Sequence, residues 1–188
     1  EKQSNLEAPI IRKPFFCSGC PHNSSLKVPE GKRALGGIGC HYMAVDSIES
    51  TEFFTQMGGE GTPWIGIAPF SHEKHVFANL GDGTYKHSGI LAIRASLDAN
   101  VNITYKILYN DAVAMTGGQE IGSNWDVEGI VKQVLAEGVK KVSILSEDPK
   151  RYSQLVNNEV KSLHRDAIIT EQEELSQYEG VSVLIFDQ

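Results

Sequence analysis

Two apolar runs that each stop on a small polar cluster, with one helix-length segment between them, constrain this chain more than any other feature. His75-Val76-Phe77-Ala78-Asn79-Leu80 leads into Gly81-Asp82-Gly83-Thr84. The β-branched and aromatic run Ile103 to Tyr109 leads into Asn110-Asp111-Ala112-Val113-Ala114-Met115-Thr116-Gly117-Gly118-Gln119. Between them, His87 to Asp98 carries Ile90, Leu91, Ile93, Ala95 and Leu97 largely on one side, which predicts a helix. A strand–helix–strand unit crosses over right-handed, so the two strands are parallel and both clusters lie at the carboxyl end of one sheet. Ligands bind at that edge.

The clusters have a definite chemistry. Gly81 and Gly83 let the backbone approach an anion closely, and the helix that follows points N–H groups at it. Asp82 offers a hard oxygen, and Asn110 offers a neutral amide oxygen from the neighbouring strand end. Mg²⁺ takes a few such oxygens, keeps waters, and completes its shell from phosphates. Asp82, Asn110 and a backbone carbonyl around a diphosphate meet that demand. The competing reading of Gly-Asp-Gly is an ordinary turn, and the second strand end with Asn110 and a Gly-Gly turn weighs against it.

A chain of 188 residues predicts one domain with room for a sizeable core. A net charge of −7 without a basic block excludes a nucleic-acid surface. No apolar run is long enough for a membrane span, so no membrane partner is expected. Three Cys, all within the first 40 residues, look like a local site rather than disulfide staples, in a reducing, cytoplasmic setting. The chain opens at Glu1 without Met, which suggests a piece of a longer protein, and residues 1–13 read as a linker or arm.

Cys17-Ser18-Gly19-Cys20 places two thiolates on one tight turn, and Cys40 follows Gly36-Gly37-Ile38-Gly39 with His41 beside it. Three readings are open. A [4Fe–4S] cluster needs four thiolates as a rule. A zinc site would add His22 or His41 to the three thiols. The third reading is three unligated thiols. Spacing favours a metal without separating iron–sulfur from zinc.

Elsewhere the pattern predicts a short strand at 33–35, a helix over 42–48, a strand over 51–57 and a helix over 64–70. The turn Gly58-Gly59-Glu60-Gly61 lets backbone approach a neighbour closely. A helix over 125–136, a strand over 141–145 and a helix opened by Ser146 to Pro149 follow. A weak strand at 166–170, a polar helix over 172–178 and a last strand over 181–186 close the chain. This alternation predicts an α/β fold, a parallel sheet with helices on both faces. No G-x-G-x-x-G dinucleotide turn and no Walker loop is present.

Gly81-Asp82-Gly83, with Asn110 about 26 residues on, resembles the thiamine-diphosphate motif. Together with the Asn110–Gln119 run and the Cys motifs, the chain resembles the thiamine-diphosphate domain of an indolepyruvate ferredoxin oxidoreductase, of the 2-oxoacid:ferredoxin oxidoreductase family, long fused type. The resemblance runs roughly from Pro14 to the C-terminus and is most specific at 15–22, 37–43, 56–61 and 80–119.

The resemblance implies a diphosphate-type thiamine-diphosphate-binding domain over 14–188, truncated at its C-terminus. It implies Mg²⁺ held by Asp82, Asn110 and the backbone oxygen of Ala112, with Gly81, Gly83 and Thr84 facing the diphosphate. Gly39, Cys40, Gly58, Gly59, Val113 and Ala114 would line the cofactor, and His41, Met115 and Thr116 would face the reacting 2-oxo acid. Cys17, Cys20 and Cys40 match three ligands of a [4Fe–4S] cluster. The fourth Cys is expected just past the last strand, one or two residues beyond the final Asp187-Gln188. The implied reaction oxidatively decarboxylates aryl 2-oxo acids to acyl-CoA and passes electrons to ferredoxin. The implied partners are coenzyme A, ferredoxin, and the pyrimidine-binding and acceptor domains of the parent chain, in a homodimer. A separate domain would supply the glutamate that activates the cofactor, so these residues alone are not expected to catalyse. The alternative from another class is a non-catalytic zinc-binding α/β module. A third reading is a purely structural α/β domain whose turns mimic the motif.

Overall fold

Long apolar runs without strict alternation suit strands buried on both faces, and the centre of this molecule is built from them. The computed structural model describes residues 15–47, 50–120 and 126–187, apart from the side chains of Ser47 and Met115. The expected arm at 1–13, Ile48 at the end of one predicted helix and Trp125 at the start of another lie outside the described residues.

In chain order the elements are α1 (His22–Ser25), β1 (Ala34–Gly36), a 3₁₀ turn (Cys40–Met43), α2 (Ala44–Ser47), β2 (Thr51–Phe54) and α3 (Pro63–Ile67). Then come β3 (Val76–Gly81), α4 (Asp82–Thr84), a π-helical turn (Tyr85–Gly89), α5 (Ile90–Asp98) and β4 (Ile103–Tyr109). The short pair β5 (Ala112–Val113) and β6 (Gln119–Glu120) precedes α6 (Val127–Glu137) and β7 (Val142–Ser146). The chain continues through β8 (Val160–His164) and α7 (Ile168–Leu175) to β9 (Val181–Asp187).

Seven strands form one sheet in the order β2-β1-β3-β4-β9-β7-β8, and every neighbouring pair is parallel. One core lies on the face covered by α3, α5 and α6, where Trp64, Ile93, Ile130 and Val134 pack on Leu80, Tyr105, Ile107 and Ile185. The other face buries Phe16, Leu26, Ala44 and Leu175 against Leu108, Leu184 and Phe186. Helices therefore cover both faces, as the strand–helix alternation predicts. The register is in step at the centre, with Gly81 beside Leu108. The ends of β3 and β4 thus open at one height.

Four local expectations are corrected. The central helix starts at Asp82, through a π-helical turn, and not at His87. The strand after Ser50 stops at Phe54, because Phe53 takes a left-handed φ of 40° and the β1–β2 register shifts there. Pro149–Leu155 is only a 3₁₀ turn, and β8 follows it as a charged edge strand. Residues 168–175 are helical where a strand was expected at 166–170, because this turns Gln172 and Leu175 into the second face of the sheet.

Candidate functional site at the carboxyl ends of two strands

Asp82 is the first residue past β3, and its side chain is nearly buried at 6% exposure. Its Oδ2 accepts the Asn110 backbone N–H at 2.8 Å and its Oδ1 accepts the Gly83 N–H at 2.7 Å. Burial raises the carboxyl above its usual range, while the backbone N–H groups of Asn110, Gly83, Asp111 and Ala112 pull it back down. Asn110 Oδ1 accepts the Ala112 N–H at 3.1 Å, and Asp111 between them has a left-handed φ of 55°. The chain therefore hooks back at the end of β4 around the Asp82 carboxylate. Asp82, Asn110 and Ala112 are brought together.

This hook suits a diphosphate with its metal. Its oxygens are hard, neutral or anionic, and belong to the donor class Mg²⁺ selects. A Cβ at Gly83 would lie 3.1 Å from Val113 Cγ2, so bare backbone at Gly83 faces the Ala112–Val113 segment. Thr84 is the exception among the predicted diphosphate residues. Its hydroxyl is buried and donates to the Ile38 carbonyl at 3.4 Å, tying the Gly81–Thr84 turn to the Gly37–Gly39 turn.

His41 is 4% exposed and its ring is wedged among glycines. A Cβ at Gly39 would lie 2.7 Å from its Cε1, one at Gly37 2.8 Å from its Nε2, and one at Gly81 3.4 Å from its Cε1. Burial, and then the charge of His22, lower its pKa to about 4. His22, also buried, is lowered to about 4 by burial and then by Arg165. Both rings are neutral near pH 7. Gly58 packs against Ser88 so closely that a Cβ would collide with its hydroxyl, and a Cβ at Gly59 would lie 2.7 Å from Gln56 Nε2. Ala114 and Thr116 are exposed on a 3₁₀ turn, where Thr116 Oγ1 donates to Gln119 Oε1 at 2.5 Å and Gln119 Nε2 donates back to the Thr116 carbonyl at 2.8 Å. The side chain of Met115 lies outside the described residues.

Cys17 is exposed and Cys20 and Cys40 are half-buried, all as free thiols. Cys20 N–H closes the turn on the Cys17 carbonyl at 3.0 Å. Burial raises the Cys40 thiol, and Cys20 and then Cys17 add to the rise, so the three thiols share one neighbourhood. Among the described residues, no three His, Cys, Asp or Glu side chains are placed to hold a metal ion together. The thiols alone therefore do not complete a cluster or a zinc site.

Sequence reasoning did not single out Glu60 or Asn79 as site residues. Both are fully buried with polar atoms that lack partners, close to Gly37 and His41. The available signals were a carboxylate inside a glycine turn and an amide inside an apolar strand.

With this geometry in hand, known proteins place the chain. A family profile described as thiamine pyrophosphate enzyme, C-terminal TPP binding domain, matches residues 37–158. The indolepyruvate oxidoreductase subunit IorA of Thermococcus kodakarensis is 27% identical over 161 residues, covering 75% of this chain and 25% of that protein. The IorA subunit of Archaeoglobus fulgidus is 27% identical over 176 residues, covering 84% and 27%. The chain thus spans about a quarter of the length of these curated relatives. Among solved structures, the 2-oxoglutarate:ferredoxin oxidoreductase from Magnetococcus marinus superposes with a TM-score of 0.64 at 21% identity, over 95% of this chain and 65% of that one. Benzoylformate decarboxylase from Polynucleobacter necessarius superposes with a TM-score of 0.63 at 14% identity, over 95% of this chain and 35% of that one. The parallel sheet, the paired strand ends and the profile match agree: the chain belongs to the thiamine pyrophosphate enzyme family, as its C-terminal TPP-binding domain.

Proposed function

We propose that this domain holds the diphosphate of thiamine diphosphate, through Mg²⁺, in an oxidoreductase that oxidatively decarboxylates aryl 2-oxo acids of the indolepyruvate kind to acyl-CoA. The observation that carries the reading is the junction of Asp82 with Asn110 across the ends of β3 and β4. Asp82, Asn110 and the Ala112 carbonyl would hold the metal, with the bare backbone of Gly81 and Gly83 against the diphosphate. Thiamine diphosphate supplies the nucleophilic carbon and the electron sink for decarboxylation. His41, Met115 and Thr116 would be the residues on the side of the 2-oxo acid. His41, neutral near pH 7, would bring no charge there.

Cys17, Cys20 and Cys40 would be three ligands of a [4Fe–4S] cluster, with a fourth thiolate from outside this chain, and such a cluster would supply one-electron chemistry toward ferredoxin. Cys17 and Cys20 share one closed turn, with the Cys20 N–H on the Cys17 carbonyl at 3.0 Å, which supports this grouping. The zinc alternative needs His22 or His41 beside the thiols, and no observation favours it. His22 Nε2 faces Asn110, and His41 Nε2 faces the Gly37 turn. The glutamate that activates the cofactor and the site for coenzyme A would belong to other parts of the parent protein, and two copies would pair as a homodimer.

Titration calorimetry with thiamine diphosphate and Mg²⁺ tests the core of this reading. Weak binding by this chain, lost in Asp82→Ala, is the expected result. Equal binding by the two proteins would remove Asp82 from the site. Anaerobic reconstitution of the parent protein with iron and sulfide tests the cluster: a broad visible absorption is expected, and a colourless protein with stoichiometric zinc would favour the zinc module.

A further inference from the structure

Beneath the Gly81-Asp82-Gly83 turn, several buried polar atoms lack partners. His41 Nε2, Glu60 Oε1, and both Oδ1 and Nδ2 of Asn79 are buried and make no hydrogen bond. The side chains of Glu60 and His41 converge on Gly37, beside the backbone carbonyl of Asn79. A Cβ built there would lie 2.6 Å from Glu60 Cγ, 2.8 Å from His41 Nε2 and 2.8 Å from the Asn79 carbonyl oxygen. Asn79 and Gly81 are two residues apart on β3 and so share a face of the sheet, the face on which the His41 ring lies against Gly81.

Glu60 already joins two turns. Its Oε2 accepts the Gly58 N–H at 2.7 Å, and the Ile38 backbone N–H also reaches its carboxyl. One carboxylate thereby fastens the glycine turn at 58–61 to the glycine turn at 37–39, from which Cys40 and His41 emerge. Its other oxygen, Oε1, makes no hydrogen bond, and the Glu60 side chain reaches Gly37 through Cγ. Buried polar atoms are almost always satisfied by protein or by enclosed water, and an internal water typically bridges two to four such groups.

We infer that Glu60 is a positioning residue. It holds the His41 imidazole against the Gly81 turn through one enclosed water that bridges Glu60 Oε1 and His41 Nε2, with the Asn79 amide as a further partner. The Asn79 amide, unpartnered and on the same face of β3 as the His41 ring, would give that water its third hydrogen bond. A hydrogen bond at Nε2 sets which ring nitrogen carries the proton and keeps the ring from turning. Gly37 leaves room for this approach of Glu60 and His41, since a Cβ there would collide with Glu60 Cγ and His41 Nε2. The consequence for activity rests on the proposed function above, whereas the hydrogen-bond link does not.

The test uses the full chain of the parent protein. In wild type, a crystal structure that shows ordered water is expected to place one within hydrogen-bonding reach of both Oε1 and Nε2. A dry gap there overturns the inference, whatever the variants do. In Glu60→Gln, the ¹⁵N resonances of His41 are expected to shift, and unchanged resonances overturn the link. Glu60→Gln is expected to lower kcat by about 10²-fold with KM unchanged, the scale of a misplaced reacting geometry. The double variant Glu60→Gln with His41→Gln is expected to be no slower than His41→Gln alone, since the two residues act as one unit. Losses that multiply overturn the positioning role. If wild type fails to bind thiamine diphosphate, the proposed function falls, and the water and the ¹⁵N signature still decide this inference.

Discussion

Asn110 and His22 meet with amide Nδ2 at 3.2 Å from imidazole Nε2, across 88 residues of chain. The neutral imidazole accepts and the amide donates, so Asn110 Oδ1 is left turned toward Ala112, where it accepts the backbone N–H. This contact ties the C-x-x-C segment to the end of β4. The segment is fastened elsewhere too, since Lys106 Nζ and Gln172 Nε2 both donate to the Lys27 carbonyl, at 2.9 and 3.1 Å. The thiol loop and the diphosphate hook are thus one packed unit.

His22→Ala is expected to weaken binding of thiamine diphosphate with Mg²⁺ by roughly fivefold, about 1 kcal/mol, the net worth of one neutral hydrogen bond. Calorimetry on the two proteins reads this directly. An unchanged affinity would mean that the turn to Ala112 orients Asn110 without help from His22.

Asp82→Ala is expected to lower stability by about 1–3 kcal/mol as well as to abolish metal-dependent binding, because the N–H groups of Asn110 and Gly83 lose their acceptor in a buried setting. Urea unfolding measures the first effect and calorimetry the second. Full stability in the variant would show that water replaces the carboxylate.

Gly37→Ala is expected to cost about 1–3 kcal/mol, because its methyl group would press on Glu60, His41 and the Asn79 carbonyl. Gly66→Ala is the control. Gly66 is exposed within α3, a Cβ there meets nothing within 4 Å, and helix propensity favours alanine by up to about 1 kcal/mol. Thermal unfolding should move the two midpoints in opposite directions.

Lys106→Met is expected to stabilise the fold by about 1 kcal/mol or more. Lys106 is fully buried between the rings of Phe77 and Phe186, and its one hydrogen bond goes to a carbonyl that Gln172 also serves. Burial holds its pKa well below the usual 10.5, so the unfolded chain binds this proton more tightly than the folded one. Wild-type stability therefore rises with pH toward 10.5, and the advantage of methionine shrinks over the same range. Urea midpoints from about pH 6 to pH 10 test the sign, and an advantage that grows with pH would refute it.

The central unit was legible before any coordinates because its signals are local. Apolar runs, the helical spacing of Ile90 and Ile93, and polar residues where each strand stops follow from backbone periodicity alone. The same locality explains the failures. Ile168-Ile169-Thr170 has strand-like residues, yet packing against the second face of the sheet makes the segment helical. Ser146 to Pro149 opens a helix by its local signals, yet only a 3₁₀ turn forms there and the open edge of β7 recruits Val160 to His164 as a strand.

What the sequence by itself determined is therefore the parallel α/β architecture and the pairing of Asp82 with Asn110 as strand-end chemistry, since both depend on residues within one crossover unit. Only the tertiary structure decided that His22 braces Asn110, that Glu60 joins two glycine turns, and that three glycines enclose the His41 ring. Those contacts join residues far apart in sequence. Their geometry is set by how the loops above the sheet pack, which no local period encodes.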